Sequence, residues 1–430
     1  MADQGGSQHG IARTSRVRTD EQKKRDLERI ARYRELEDQV RARAAEGDYS
    51  PAVFQLTSRL LRLNPEYYTI WNVRRRCLIS GSFSRLSAGS SCSTACSTSS
   101  RTATTAPSST SCSSSSSATT PPAPGPPTAG KSGTTAEPTP AAADPPEATE
   151  SEPSEAETRD LATLQAELVF TIPLLLESPK CYWIWSYRLW LLQQAIARLR
   201  APLARTVWEE ELGLATKMLG KDRRNFHAWG YRRHVVARLE SPSLRGGSMV
   251  EAEFAYTDRM IMSDLSNFSA WHSRSRLIPR LLAERGADEA ARRAFLDKEL
   301  QQIREALNVG PEDQSLWYYH QFLILNLVYP NKHPAMTPGF TLQDRVAYLR
   351  REIEEIKELL EDYADIQLIY EGLFEYTLYL CQLEGKKPKA SERTDLVAWL
   401  GKLKQLDPMR RGRWADLERE HDLTEGGSDV

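Results

Sequence analysis

The sequence predicts an all-α fold, a solenoid of stacked helix pairs, and three observations carry that prediction. Five tryptophans, Trp71, Trp185, Trp229, Trp271 and Trp317, recur in one local pattern. Three residues before the first four stands Tyr68, Tyr182, Phe226 or Phe268, and three residues after them stands Arg74, Arg188, Arg232 or Arg274; the fifth copy has Gln314 and His320 there. Apolar pairs such as Leu191/Leu192, Val235/Val236 and Leu277/Ile278 follow one turn later, so these positions share one helical face. Upstream of each motif lies a second amphipathic stretch (Ala52 to Leu63, Leu164 to Leu176, Glu209 to Leu219, Glu251 to Met262 and Lys298 to Leu307), joined to it by a short polar turn. From Trp185 onward the tryptophans are spaced 42 to 46 residues apart, the range of stacked helical-pair repeats.

In chain order, residues 1–20 are polar and read as a flexible N-terminus, and a charged helix follows from about Glu21 to Ala45. Residues 21–79 comprise that helix and the first repeat, whose apolar run Cys77, Leu78, Ile79 stops unfinished. Residues 80–158 are mostly Ser, Thr, Ala, Pro and Gly with almost no large apolar side chains, a composition that cannot offset its ordering entropy and predicts disorder. This stretch widens the first tryptophan spacing to 114 residues. A natural insertion and a gene-model error both account for it, and the error is preferred for the cysteine-rich part up to Ser117. Residues 159–420 hold the remaining repeats. Among them, Arg345 to Leu360 reads as a charged helix, Tyr363 to Leu383 as an aromatic-rich one resembling a worn sixth unit, and Asp395 to Leu406 with Trp414 closes the array. Residues 421–430 are acidic and Gly-rich, a flexible tail.

Composition narrows the function classes. A formal net charge of −1 argues against nucleic acid as the main partner, since phosphate affinity needs a surplus of Lys and Arg. No apolar run approaches a transmembrane length and no apolar signal core opens the chain, so the expectation is a soluble cytoplasmic protein with reduced cysteines. The acceptor-like Asn267-Phe268-Ser269 is discarded on the same ground. The string Gly125 to Ser132 fits a phosphate-binding loop literally, but two of its residues are prolines without an N–H and the composition around it predicts disorder. No metal-ligand spacing and no nucleophile motif is visible, so the chain is expected to bind no metal and to do no chemistry alone.

The recurring Trp and Arg are read as architecture, the Trp filling the wedge between neighbouring pairs and the Arg reaching carbonyls or acids of an adjacent helix. The informative residues are those that vary at the mouths of the second helices: Lys180 and Tyr182 before Trp185, and Asn225, Phe226 and His227 before Trp229. A helix N-terminus presents free N–H groups and positive dipole, so a Lys and a His at neighbouring mouths form a candidate anion cradle. By spacing alone, the default for Lys180 is an exposed loop lysine.

The runs NPEYYTIWNVRRR, SPKCYWIWSYRLWLL, DRRNFHAWGYRRHVV and NFSAWHSRSRL resemble the repeats of protein prenyltransferase α subunits. Within that family, Lys180 to Trp185, Asp313 to Trp317 and the early His9-Gly10 are similar to the type II, or Rab geranylgeranyltransferase, α subunit in its compact fungal form. The resemblance implies a right-handed α-α superhelix, a crescent wrapped around a β subunit that holds a catalytic zinc and the lipid pocket. It implies an activity absent without that β subunit: transfer of geranylgeranyl from geranylgeranyl diphosphate to C-terminal cysteines of Rab GTPases presented by an escort protein. Lys180, Tyr182 and His227 match residues at the departing diphosphate, with Asn225 and Phe226 beside them. Family members often carry His at the second position, where this chain has Ala2, so a role for His9 is set aside. The alternatives are the α subunit shared by farnesyl and type I geranylgeranyl transferases, and a non-enzymatic tetratricopeptide-like scaffold.

Overall fold

The computed structural model describes residues 19–84, 152–331 and 335–423, which form fifteen α-helices and, among the described residues, no strand. His9, the phosphate-loop string, Cys92, Cys96, Cys112 and residues 85–151 lie outside them.

Helix α1 (Asp20–Ala45) is capped by Thr19 and precedes a run of helical hairpins. These pair α2 (Pro51–Leu63) with α3 (Tyr68–Cys77), α4 (Glu155–Glu177) with α5 (Tyr182–Arg198), α6 (Ala201–Lys221) with α7 (Phe226–Leu239), α8 (Val250–Ser263) with α9 (Phe268–Glu284), α10 (Glu289–Val309) with α11 (Gln314–Val328), and α12 (Leu342–Asp362) with α13 (Gln367–Glu384). Helices α14 (Ala390–Leu406) and α15 (Arg411–Glu420) close the array. The predicted α-α superhelix is the observed architecture. Its first helices run longer than the amphipathic stretches suggest: α4, α6 and α10 begin two or more turns earlier, α4 and α10 through largely polar residues and α6 through a segment that buries Ala204, Val207 and Trp208.

Two boundaries differ from the compositional reading. A π-turn, Leu78–Ser82, continues α3 into the stretch assigned to disorder, where Phe83 is buried and the Ser84 N–H donates to the Asp160 carboxylate at 2.8 Å. Helix α4 begins at Glu155, inside the same stretch. Short anchored ends carry too few residues to shift a composition window. Likewise, Leu423 in the assigned tail is buried.

Each tryptophan is buried, and its indole N–H donates to a carbonyl six residues earlier: Trp71 to Pro65 (2.8 Å), Trp185 to Pro179 (2.9 Å), Trp229 to Arg223 (2.8 Å), Trp271 to Leu265 (2.8 Å) and Trp317 to Pro311 (2.7 Å). The bond closes the hairpin turn while the ring fills the core. In the sixth hairpin Tyr370 takes the role, its hydroxyl donating to the Ala364 carbonyl at 2.8 Å.

Between hairpins the arginines form a buried ladder. Arg74 reaches Glu167 of the next unit through Nε (2.6 Å) and Nη2 (2.7 Å), and Arg274 reaches Glu299 in the same bidentate way at 2.7 and 2.6 Å. Arg188 pairs with Glu211, and Arg232 with Glu253. Tyr187, Tyr231 and Tyr319 pack tilted against the preceding unit's Trp with ring centroids 4.6, 4.9 and 4.6 Å apart, and each donates its hydroxyl to the same Glu. In the fifth seam His320 replaces Arg and meets Glu352 and the Tyr376 hydroxyl. These five glutamates, each eighteen residues ahead of its own unit's Trp or Tyr370, are absent from the sequence reading because no window around a Trp reaches that far.

Candidate functional site

The hairpin turns stack along one edge, and that edge carries the predicted site residues. Lys180 lies in the turn before α5, and Tyr182 opens that helix. Asn225 is the N-cap of α7, with Phe226 and His227 in its first turn. The two mouths are fastened together by the Pro179 carbonyl, which accepts from the Asn225 side-chain amide at 3.1 Å as well as from the Trp185 indole. The residue next to Lys180 is therefore held against the cap that positions His227. One unit on, the Asn267 amide repeats the tie to the Arg223 carbonyl at 3.0 Å.

The edge is aromatic and open. Tyr68 and Trp183 lie 4.5 Å apart by ring centroid, Trp183 and Tyr182 5.0 Å, Tyr182 and His227 6.3 Å, and His227 and Phe226 5.8 Å. Tyr182 is 57% exposed and Phe226 73%, large apolar areas for a chain that buries its tryptophans. The Lys180 side chain is 76% exposed and stands 3.8 Å from the Asp222 carboxylate, a long and solvated ion pair that holds it loosely. Lys180, Tyr182, Phe226 and His227 thus share one rim.

Two features refine the cradle. Asn225 is buried, and its side-chain oxygen accepts the N–H groups of His227 (3.0 Å) and Ala228 (3.2 Å), so the mouth of α7 is already capped and an anion there would meet the imidazole rather than free backbone donors. Helix α5 follows Cys181 without a side-chain cap bond, and the thiol lies against the Trp183 and Ile184 N–H groups beside Lys180. Burial pushes the Cys181 thiol up to about 11, and Cys77 and Cys381 likewise, so none of these is a thiolate at neutral pH. Sequence reasoning did not single out Trp183 or Asp222. The first stands among four aromatics in six residues, and the second occupies the first position of a turn that recurs in each unit. Among the described residues no group of three or more His, Cys, Asp or Glu side chains could hold a metal ion, and no helix is long and apolar enough to cross a membrane.

Comparison with known proteins agrees with the repeat architecture. Residues 51–80, 164–195, 208–239, 250–281 and 296–327 match the protein prenyltransferase alpha subunit repeat. The geranylgeranyl transferase type-2 subunit alpha of Schizosaccharomyces pombe is 30% identical over 218 residues, which cover 50% of this chain and 62% of that protein, less than two thirds of its length. The Candida albicans protein of the same name is 27% identical over 441 residues, covering 95% of this chain and 97% of its own. That of Homo sapiens is 32% identical over 165 residues, or 38% of this chain and 26% of the human one. Among solved structures, a Candida albicans protein geranylgeranyltransferase-I complexed with GGPP superposes with a TM-score of 0.52 at 17% identity, covering 92% of this chain and 91% of that one, a likeness of fold. Five matched repeats, each closing on its own tryptophan, and relatives named type-2 alpha subunits in fungi and mammals place the chain in the protein prenyltransferase alpha subunit family.

Proposed function

We propose that this chain is the α subunit of a heterodimeric protein geranylgeranyltransferase type II. In this reading it acts in the cytoplasm, pairs with a zinc-holding β subunit, and helps transfer geranylgeranyl from its diphosphate to C-terminal cysteines of Rab GTPases presented by an escort protein. The observation that supports it is the fastening of the α5 and α7 mouths on the Pro179 carbonyl, which sets Lys180, Tyr182 and His227 on one open rim. As a thiolate attacks C1 of the prenyl group, negative charge grows on the departing diphosphate, and a cation at that oxygen lowers the barrier. Lys180 is suited to the part: exposed, held only by a long pair to Asp222, and beside a helix mouth without a side-chain cap bond. Tyr182 and His227 supply further hydrogen-bonding groups to the same region, with Asn225 fixing the α7 mouth and Phe226 flanking it. Zinc enters as a property of the partner, where it would acidify the attacking thiol.

The test is Lys180→Ala co-expressed with the β subunit. Single-turnover rate at saturating geranylgeranyl diphosphate should fall about 100- to 1000-fold, the usual loss for one donor to a developing anion. The melting temperature should not move, because the ammonium is 76% exposed. An unchanged rate overturns the catalytic assignment. Rab acceptors that need an escort, compared with short C-terminal tetrapeptides, separate the type II reading from the shared farnesyl and type I subunit.

A further inference from the structure

The turns along the rim are built on one plan, and a second row of charges follows from it. The first residue of each turn, seven before its Trp, is Asn64, Ser178, Asp222, Asp264 or Gly310, and two residues later stands Glu66, Lys180, Arg224, Ser266 or Glu312. Where the first residue is Asn or Asp, its side-chain oxygen accepts the N–H of the residue two on: Asn64 from Glu66 (3.1 Å), Asp222 from Arg224 (3.2 Å) and Asp264 from Ser266 (3.2 Å). A carboxylate placed this way also faces the preceding turn and meets the cation there, Asp264 with Arg224 and Asp222 with Lys180.

The two rungs share a register and differ in strength. Arg224 holds Asp264 at two points, Nε to Oδ2 and Nη2 to Oδ1, each at 3.1 Å. Lys180 reaches Asp222 Oδ2 with one nitrogen at 3.8 Å, too long for a hydrogen bond. A pair so long and solvated adds little to stability, so what it sets is where the ammonium rests. Asp222 is the fixed partner, because its Oδ1 is held by the Arg224 N–H. The ammonium is the mobile one, a point charge on a flexible four-carbon stem. An anion at the rim can therefore draw Lys180 away without moving either turn, whereas Arg224 stays committed to Asp264.

We propose that Asp222 is a positioning residue of this site: it holds the Lys180 ammonium at the rim while the site is empty, competes for it with bound diphosphate, and recaptures it as the diphosphate leaves. This inference rests on the reading of Lys180 given above. The charge of Asp222 carries the role rather than its shape, because Asn64 builds the same turn without a charge.

The test is the inhibition constant of inorganic pyrophosphate on the co-expressed heterodimer, for the wild type, Asp222→Asn, Lys180→Ala and the double variant. Asp222→Asn keeps the oxygen that closes the turn and removes the competitor. Pyrophosphate should then bind about fivefold more tightly, the effect of one unit charge about 4 Å from the ammonium in water. KM for geranylgeranyl diphosphate should fall in parallel, while KM for the protein acceptor and the melting temperature stay at wild-type values. In the Lys180→Ala background the same substitution should change the inhibition constant by less than about twofold, because the carboxylate acts through the lysine. Equal tightening in both backgrounds would mean that Asp222 repels the anion directly, and a drop in melting temperature would mark it as structural; either result overturns the proposal. If Lys180→Ala leaves the inhibition constant unchanged, the reading of Lys180 falls and this one with it. If Lys180→Ala weakens pyrophosphate and Asp222→Asn alters nothing, this one falls alone.

Discussion

Arg188 and Lys180 stand eight residues apart with the same charge, and their surroundings assign them opposite work. Arg188 is buried, its guanidinium shared among Glu211, the Leu168 carbonyl (2.6 Å) and the Thr171 hydroxyl. Removing it leaves the Glu211 carboxylate buried without its cation, so Arg188→Ala should cost about 3 to 5 kcal/mol. Denaturant unfolding of the single variant measures that loss, while Lys180→Ala should leave the same curve in place. The buried thiols make a second prediction at this scale. With Cys77, Cys181 and Cys381 each pushed up to about 11 by burial, their thiolate fraction at pH 8 is small and alkylation should be slow until the chain unfolds, as peptide mapping by mass spectrometry will record. That Lys180, Tyr182 and His227 lie on one edge was legible because they stand at a fixed place in a repeating frame. The glutamates of the ladder were not, because Glu211 lies on a different helix from the Trp229 that sets its register.

At the scale of the helix, the decisive device is a single amide that does two jobs. The Asn225 oxygen caps α7 while its nitrogen holds the Pro179 carbonyl; Asn267 does the same for α9 and Arg223. Replacement by aspartate keeps the capping oxygen and removes the donor. Asn225→Asp should therefore loosen α7 from the turn that carries Lys180 and lower turnover, whereas Asn267→Asp should destabilise to a similar degree and leave turnover near wild type. Paired thermal melts and steady-state rates on the two heterodimers check this, and equal turnover would refute a role for the tie in catalysis. The helices themselves were legible from period and turn residues. Their outer ends were not, since α4 starts at Glu155 in sequence that reads as linker and is fixed there by tertiary bonds such as Ser84 to Asp160.

Across the molecule, the end of the first repeat is pinned by the second hairpin, formed by chain that returns after residue 151. The Ser84 N–H lies on the Asp160 carboxylate and the Arg198 guanidinium donates to the Ser84 carbonyl at 2.7 Å, so both ends of the intervening stretch are held on one unit. Loop entropy grows only with the logarithm of length. Replacing residues 85–151 by a short Gly/Ser linker should therefore keep the melting temperature within about 3 °C, a shift that corresponds to about 2 to 3 kcal/mol for a chain of this size. Calorimetry on the two forms decides it, and a large drop would mean that the deleted stretch stabilises the array. Neither the extent of that stretch nor its tethering was open to a composition argument, because both depend on contacts between residues more than seventy positions apart.

The ladder also limits how such a chain can change in length. In the first four seams each glutamate resides in one hairpin but neutralises the arginine of the hairpin before it; the series begins where Val53 occupies the glutamate position and ends where Leu373 occupies the arginine position. Recombination that removes or duplicates one whole period joins an arginine to the next available glutamate and leaves no orphan. A cut through the middle of a period strands a charge in the interior, so viable descendants gain or lose ancestral material in complete modules.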